Sequence, residues 1–346
     1  MSRIFAKSPY IIEVNEASQV GAKVEIYLKK AQSGTVVYPT LPSYTLSKLI
    51  SSSNAIACYF DIAPYIENFI SNSSYTVNTT TEPNFFNEGQ FCFARIKRYK
   101  LIGTTYTLVD TVSYTCFNGY VYNTEGINID LGAYLLPEGT YYYDSALSPG
   151  DLVVDNTSGY KYKYTDLVTG TNRTYTSVDS RVLQPFKVFS SYIANGNKLE
   201  ILNASNTVLK TYYFKPKELN KYTTVTIDFI NKYGGWQREF LIGASNDSLN
   251  VTNLEYKSYR AAETTFNGQE DLTKILNVNG TETIKTNTGW VEEGFKETIK
   301  QILLSDRILI NNRPVKITTK QIELQKNINN KLINYPLEFQ YTNSVI

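Results

Sequence analysis

The sequence predicts a mainly β protein. Two antiparallel β-sandwich-like domains are expected at residues 1–125 and 181–285, a Tyr-rich hairpin or arm at 126–180, and a small C-terminal α+β module at 286–346. Three observations carry that expectation. Tyrosine is the outlier of the composition, with 29 residues beside 16 phenylalanines and one methionine, and aromatic side chains fit a pleated, half-buried surface. Apolar residues repeatedly alternate with polar ones at a period of two. Clusters of turn residues separate those runs. The length of 346 residues allows two or three domains at roughly 100–200 residues each.

Near the N-terminus, Val24, Ile26 and Leu28 share one face while Lys23, Glu25 and Tyr27 share the other, which predicts a half-buried strand. Ser43 to Lys48 reads as another. Asn54 to Ile70 begins as a strand and turns at Ala63-Pro64 into a short helix with an apolar stripe of Ile66, Phe69 and Ile70. Proline costs nothing at the start of a helix, where its missing N–H has no partner to lose. Two long strands, "QFCFARIKRYK" and "TYTLVDTVSYTCFNGY", follow, joined by a hairpin connection at Leu101 to Thr105.

Residues 126–180 change character. Tyr141-Tyr142-Tyr143 stands among dense turn signals such as Ser148-Pro149-Gly150 and Thr169-Gly170-Thr171-Asn172. A solvent-exposed, tyrosine-rich strand is an edge that needs a cover. Two readings stand side by side: a subdomain packed on its own chain, and an arm docked on a neighbouring subunit. Strand patterns resume from Val182, with a short turn at Asn195-Gly196-Asn197.

Within this region, "VTIDFINKYGGWQREFLIG" (Val225 to Gly243) predicts two strands joined by Tyr233-Gly234-Gly235-Trp236. As architecture, both glycines would adopt positive φ and Trp236 would fold back on the sheet or under a neighbouring element. As a binding feature, the same residues would form an aromatic platform for a sugar or a partner chain.

At the C-terminus, Thr288 is placed to cap a helix with Glu292 and Glu293 in its first turns, and Phe295, Ile299, Ile302 and Leu303 fall on one stripe. Three strands follow: "RILIN", "RPVKITTKQIEL" and "LINYPLEFQYT". Pro336 predicts an edge position or a bulge in the last of them.

The chain contains no histidine. That excludes Ser-His and Cys-His nucleophile pairs and every His-bearing metal site. Carboxylate pairs remain at Glu292-Glu293, Glu270-Asp271 and Asp144 with Asp151. A glycosidase needs two carboxylates roughly 5–10 Å apart across a sugar cleft, and adjacent residues such as Glu292 and Glu293 point in different directions. No catalytic, cofactor-binding or metal-binding residue is therefore expected, nor any cofactor. A net charge of +2, from 34 basic and 32 acidic residues, gives no field for nucleic acid. No apolar run reaches the roughly 18 residues of a membrane helix, so no membrane insertion is expected. The segment after Met1-Ser2-Arg3 is too charged for a signal peptide. Cys58, Cys92 and Cys116 lack CxxC spacing and are expected as reduced, buried residues.

"KSPYIIEV", "YTLSKLI" and "YFDIAPYIENFI" resemble the opening of a structural protein of tailed phages that infect Bacteroidetes, the crAss-like phages among them. "VTIDFINKYGGWQREFLIG" is similar to that group's mid-chain signature, and the segment from "TGWVEEGFKETIKQILLSD" to "LEFQY" resembles its C-terminal module. The resemblance implies a virion tail component of the hub or baseplate type, assembled in the bacterial cytoplasm. It implies a homo-oligomeric ring, sixfold or a multiple of it, with other tail proteins or fibres as partners and no enzymatic activity. Segment 126–180 has no counterpart in that pattern.

Interfaces favour tyrosine and tryptophan, so the aromatic surplus is expected to join copies and neighbours. Tyr233, Gly234, Gly235, Trp236, Trp290, Tyr141, Tyr142 and Tyr143 are the candidate structural or interface residues. A carbohydrate-binding adhesin or fibre domain, stacking sugars on exposed tyrosines and Trp236, is the alternative; a carboxylate glycosidase comes third.

Overall fold

A computed structural model describes residues 2–30, 36–51, 57–70, 91–132, 134, 136–143, 152–155, 159–176, 183–186, 192, 194–216, 223–257, 273–323 and 333–343. The protein is mainly β, with several antiparallel sheets and little helix. The chain forms two compact units. The first is Met1–Glu218 with Ile230–Glu239; the second is Leu219–Phe229 with Phe240–Ile346.

The first unit opens with β1 (Ser2–Phe5), β2 (Ile11–Val14), β3 (Gly21–Lys30), β4 (Tyr44–Leu49), β5 (Cys58–Asp61), α1 (Ala63–Phe69), β6 (Phe91–Ile102) and β7 (Thr105–Phe117). One five-stranded sheet runs β1-β7-β6-β3-β4, and β2 pairs with β5 in a separate two-stranded sheet. β1 runs parallel to β7, so this sheet is not purely antiparallel. The alternation expected for β3 holds at Val24, Ile26 and Leu28. Tyr27 departs from it: it is buried too, with its hydroxyl donating to Glu25 Oε2 at 2.9 Å. The β6–β7 hairpin turns at Gly103, whose φ is +61°. α1 starts where the sequence places it. Pro64 lies in its first turn, and the Asp61 carboxylate accepts the Ala63 N–H at 3.1 Å. Ile66 and Ile70 enter a core with Ile4, Val24, Ile26 and Phe60, and Phe69 packs against it.

The same unit continues with β8 (Gly139–Tyr143), β9 (Leu152–Asp155), β10 (Lys161–Asp166), β11 (Asn172–Thr176), β12 (Leu183–Phe186), β13 (Asn197–Leu202) and β14 (Val208–Pro216). A second five-stranded sheet runs β11-β10-β13-β14-β8, and β9 pairs with β12. The boundary expected at residue 180 thus falls inside one sheet, because β10 pairs with β13 and β8 with β14. The described strands of 126–180 are packed on their own chain. Tyr141, Tyr143, Tyr162, Tyr164 and Tyr212 form their core with Leu199, Ile201 and Phe214. The turn residues Ser148-Pro149-Gly150 and most of "KVFSSYIA" lie outside the described residues.

The second unit holds β15 (Val225–Ile230) up to Phe229, the end of β16 (Trp236–Leu241), β17 (Asn246–Lys257), β18 (Thr273–Asn287), α2 (Lys296–Leu304), β19 (Ile308–Ile310), β20 (Arg313–Ile317) and β21 (Pro336–Tyr341). Its strands run β15-β19-β20-β21-β18-β17. The boundary expected at residue 286 also falls inside a sheet, since β18 pairs with β21 and β15 with β19. The core gathers Ile227, Phe229, Ile299, Ile302, Ile310 and Phe339, so the α2 stripe read from the sequence is the buried one.

Two local expectations are corrected. Thr288 does not cap the helix: a 3-10 turn at Glu293–Phe295 leads into α2. Thr288 instead donates its hydroxyl to Gly289 O at 2.8 Å and accepts the Tyr335 N–H at 3.1 Å, while Val291 bridges to Ile333. Strand-like contacts to the segment before β21 thus take the residues that the capping pattern would have used. Pro336 lies on neither an edge strand nor a bulge. β21 sits between β20 and β18, and Pro336 is its first residue, beyond the span that pairs with β20. No β20 partner needs the N–H that proline lacks.

Candidate interaction surface

The aromatic turn is a three-residue hairpin loop, Lys232-Tyr233-Gly234. Asn231 N donates to Gly235 O at 2.9 Å, and Gly234 N donates to Asn231 O at 3.0 Å. A turn of this kind places its third residue in the left-handed region. Gly234 does this with φ of +83°; Gly235 is not among the positive-φ residues. The expectation for two left-handed glycines is corrected to one, because Gly235 lies beyond the turn, accepting the Asn231 N–H that closes the loop. The Asn231 carboxamide completes the loop, with Oδ1 accepting from Tyr233 N at 3.0 Å and Gly235 N at 3.1 Å, and Nδ2 donating to Gln237 Oε1 at 3.3 Å.

The loop docks backbone to backbone on residues 118–120. Tyr120 N donates to Lys232 O at 2.8 Å. A Cβ on Gly119 would lie 2.5 Å from Lys232 O, and one on Gly234 would lie 2.8 Å from Asn118 C. Both glycines are therefore required by close approach. Lys232 is buried and meets Glu125, its ammonium donating at 2.6 and 2.8 Å to the two carboxylate oxygens and lying 4.4 Å from the Tyr122 ring. Burial raises the Glu125 carboxyl. The Lys232 hydrogen bond, the Tyr122 N–H and the ammonium charge outweigh it and leave the group below its ordinary value. Tyr233 is half-buried, and burial, then Glu125 and Tyr122, push its phenol up. Trp236 is 2% exposed. No sugar could stack on it without opening the hairpin.

The other candidates separate by strand alternation. Tyr141 and Tyr143 point into the core of the β8 sheet, and Tyr142 points out. Tyr141 donates its hydroxyl to Pro137 O at 2.7 Å, and burial pushes the Tyr143 phenol up to about 12. Trp290, by contrast, is 65% exposed, next to Gly289 with φ of +69°.

Of the adjacent pair Glu292-Glu293, Glu293 is engaged within the chain. Glu293 accepts from Lys296 at 2.9 Å. Glu270-Asp271 and Asp144 with Asp151 lie outside the described residues. A surface hollow of about 290 Å³ is lined by Tyr10, Glu13, Arg98, Tyr114 and Asn128. Its one guanidinium is engaged: Arg98 grips both Asp110 oxygens and donates to Glu13 O at 2.7 Å. Among the described residues, no group of three or more Cys, Asp or Glu is placed to hold a metal ion, and no helix is long and apolar enough to cross a membrane.

Among the described residues, a run of apolar exposure lies where no candidate was expected. All twelve residues of β17 are exposed, as are the first five of β18, which pairs with it. Leu249, Val251, Leu254, Tyr256, Ile275 and Leu276 stand between 46% and 65% exposed on this two-stranded ribbon. By alternation Leu249 and Val251 face one side, and Leu254 and Tyr256 the other. The register shifts between Leu254 and Glu255, leaving Leu276 without an opposite residue. That change of phase is legible in the sequence: a strand with one buried face keeps its apolar residues on one parity, and this one does not.

No protein-family model, curated protein or solved structure matches the chain.

Proposed function

We propose that the chain is a non-enzymatic structural subunit of a phage virion tail, of the hub or baseplate type, which assembles into a ring and binds neighbouring tail proteins or fibres. One observation carries this reading: the apolar ribbon of β17 and β18, uncovered on both faces. Contiguous exposed apolar surface marks interaction sites, and a two-stranded ribbon is at best marginally stable in water by itself. A ribbon of this length and composition suits an element that becomes covered on assembly. The order of the phage-like motifs along the chain adds to the reading. The buried tyrosines do not: they serve the chain's own core, so aliphatic residues take over the contact role first expected of the aromatics.

The test is incorporation. Particles assembled with a Leu249→Ser, Val251→Ser, Leu254→Ser variant should lack the subunit, although the isolated variant folds. Wild-type levels of the variant in particles would count against the proposal.

The adhesin reading keeps one supporting observation, the exposed indole of Trp290. It predicts glycan binding that is lost in Trp290→Ala and unaffected by conservative changes at Trp236.

A further inference from the structure

We propose that a second copy of this chain adds to the outer side of β17, antiparallel and about a two-fold axis, in the register that sets Thr252 opposite its own counterpart. The proposal deepens the assembly reading and rests on it. Among the described strands β17 is the last of its sheet, and along twelve exposed residues it contains no proline. Such an edge presents backbone donors and acceptors that template another strand.

The chain's own charges choose both partner and register. Opposite residues of an antiparallel pair share a face. A two-fold pairing therefore sets residue i against residue j only where their sum is even. With Thr252 at the centre, Asp247 of each copy faces Lys257 of the other, giving two opposite-charge pairs at the ends of the ladder. Between them Val251 faces Asn253, Asn250 faces Leu254, and Leu249 faces the methylene stem of Glu255. Centring on Val251 would instead set Asp247 against Glu255 twice, and like charges directly opposite destabilise a ladder. Centring on Asn253 leaves Asp247 beyond the paired span. The favoured register pairs Asp247 with Lys257 at both ends, and it joins the two sheets edge to edge through β17. This contact is isologous and closes on itself; beside heterologous contacts within a ring, it joins two rings back to back.

The experiment uses the full chain. Thr252→Cys, oxidised by copper-phenanthroline, should give a disulfide-linked dimer, whereas Asn250→Cys should not, because it faces Leu254. The native cysteines Cys58, Cys92 and Cys116 are buried, so the new thiol is the accessible one. In sedimentation equilibrium, Asp247→Lys and Lys257→Asp should each weaken dimerisation by roughly 3- to 30-fold, and the double variant should recover it. Asp247 also acts on Arg313, so thermal melting of each variant controls for local effects. Equal cross-linking at both positions, a double variant as weak as either single one, or a strict monomer would overturn the self-pairing. If any of these occurs while the serine ribbon variant is still missing from particles, the assembly reading stands and the occupant of β17 is another tail protein.

Discussion

Two hairpins of this molecule invert what their sequences suggest. The loop at Tyr233-Gly234-Gly235-Trp236 has the residues of a binding platform, yet Trp236 is buried and the backbone is pressed against Asn118 and Gly119. The β17–β18 ribbon has an unremarkable composition, yet it exposes six large apolar side chains. Residue type reports how much surface a side chain could bury; register and backbone approach decide where that surface goes. Glycine at 119 and 234 lets the aromatic hairpin tip close on its own unit. In β17, apolar residues on both parities prevent any single face from closing.

The largest effect is expected of Gly234→Val. The substitution forces a β-branched residue to φ of +83° and puts its Cβ 2.8 Å from backbone atoms that cannot yield cheaply. The expected loss is about 3 kcal/mol or more, read as a shift in the urea midpoint. Gly235→Ala tests the converse, since Gly235 needs no left-handed conformation, and it should cost far less. Equal costs at the two positions would refute the loop geometry.

Asn231→Ala comes next. It removes the acceptor shared by Tyr233 N and Gly235 N in a buried loop, with an expected loss of about 1–3 kcal/mol. Asn231→Asp keeps the acceptor and should recover part of it. An alanine variant that melts with the wild type would show that the carboxamide does not organise the turn.

Local pattern revealed much of this fold, and long-range pairing supplied the rest. Alternation at Val24, Ile26 and Leu28, the stripe of Ile299 and Ile302, and the turn at Gly103 were readable because each depends on neighbours a few residues away. Nothing near Tyr141 says that β8 lies parallel to β14, and nothing near Ile227 says that it pairs with Ile310. Thr288 and Pro336 misled for the same reason: each fits a common local rule, and a partner distant in sequence decides otherwise. The aromatic turn was visible as a turn, whereas Asn231, Gly119 and the Lys232–Glu125 pair become meaningful only once residues 118–125 face it. The ribbon left one trace, the change of apolar parity between Val251 and Leu254.

A pH titration sharpens the picture of the docked loop. The Glu125 carboxyl lies below its ordinary value of 4.5. The folded protein therefore binds fewer protons at this site than the unfolded chain does in acid. The stability it contributes is fully present above the unfolded value and is lost as pH falls through the lower folded value. Glu125→Gln should be less stable than wild type above about pH 5 and should show a shallower acid limb below it. Parallel stability curves across that window would show that the pair contributes nothing to docking, as many exposed ion pairs do not.

The smallest expected effect on stability carries the most about function. Leu249→Ser with Val251→Ser removes apolar surface that the isolated chain leaves in water, so its melting should stay within about 0.5 kcal/mol of wild type. The aromatic hairpin tip cannot pass this test, because Lys232 and Trp236 are already buried. If the serine variant unfolds early, β17 is covered within the chain and the contrast between the two hairpins collapses. If it melts normally and still fails to assemble, the ribbon's apolar residues are held for a surface that only another molecule supplies.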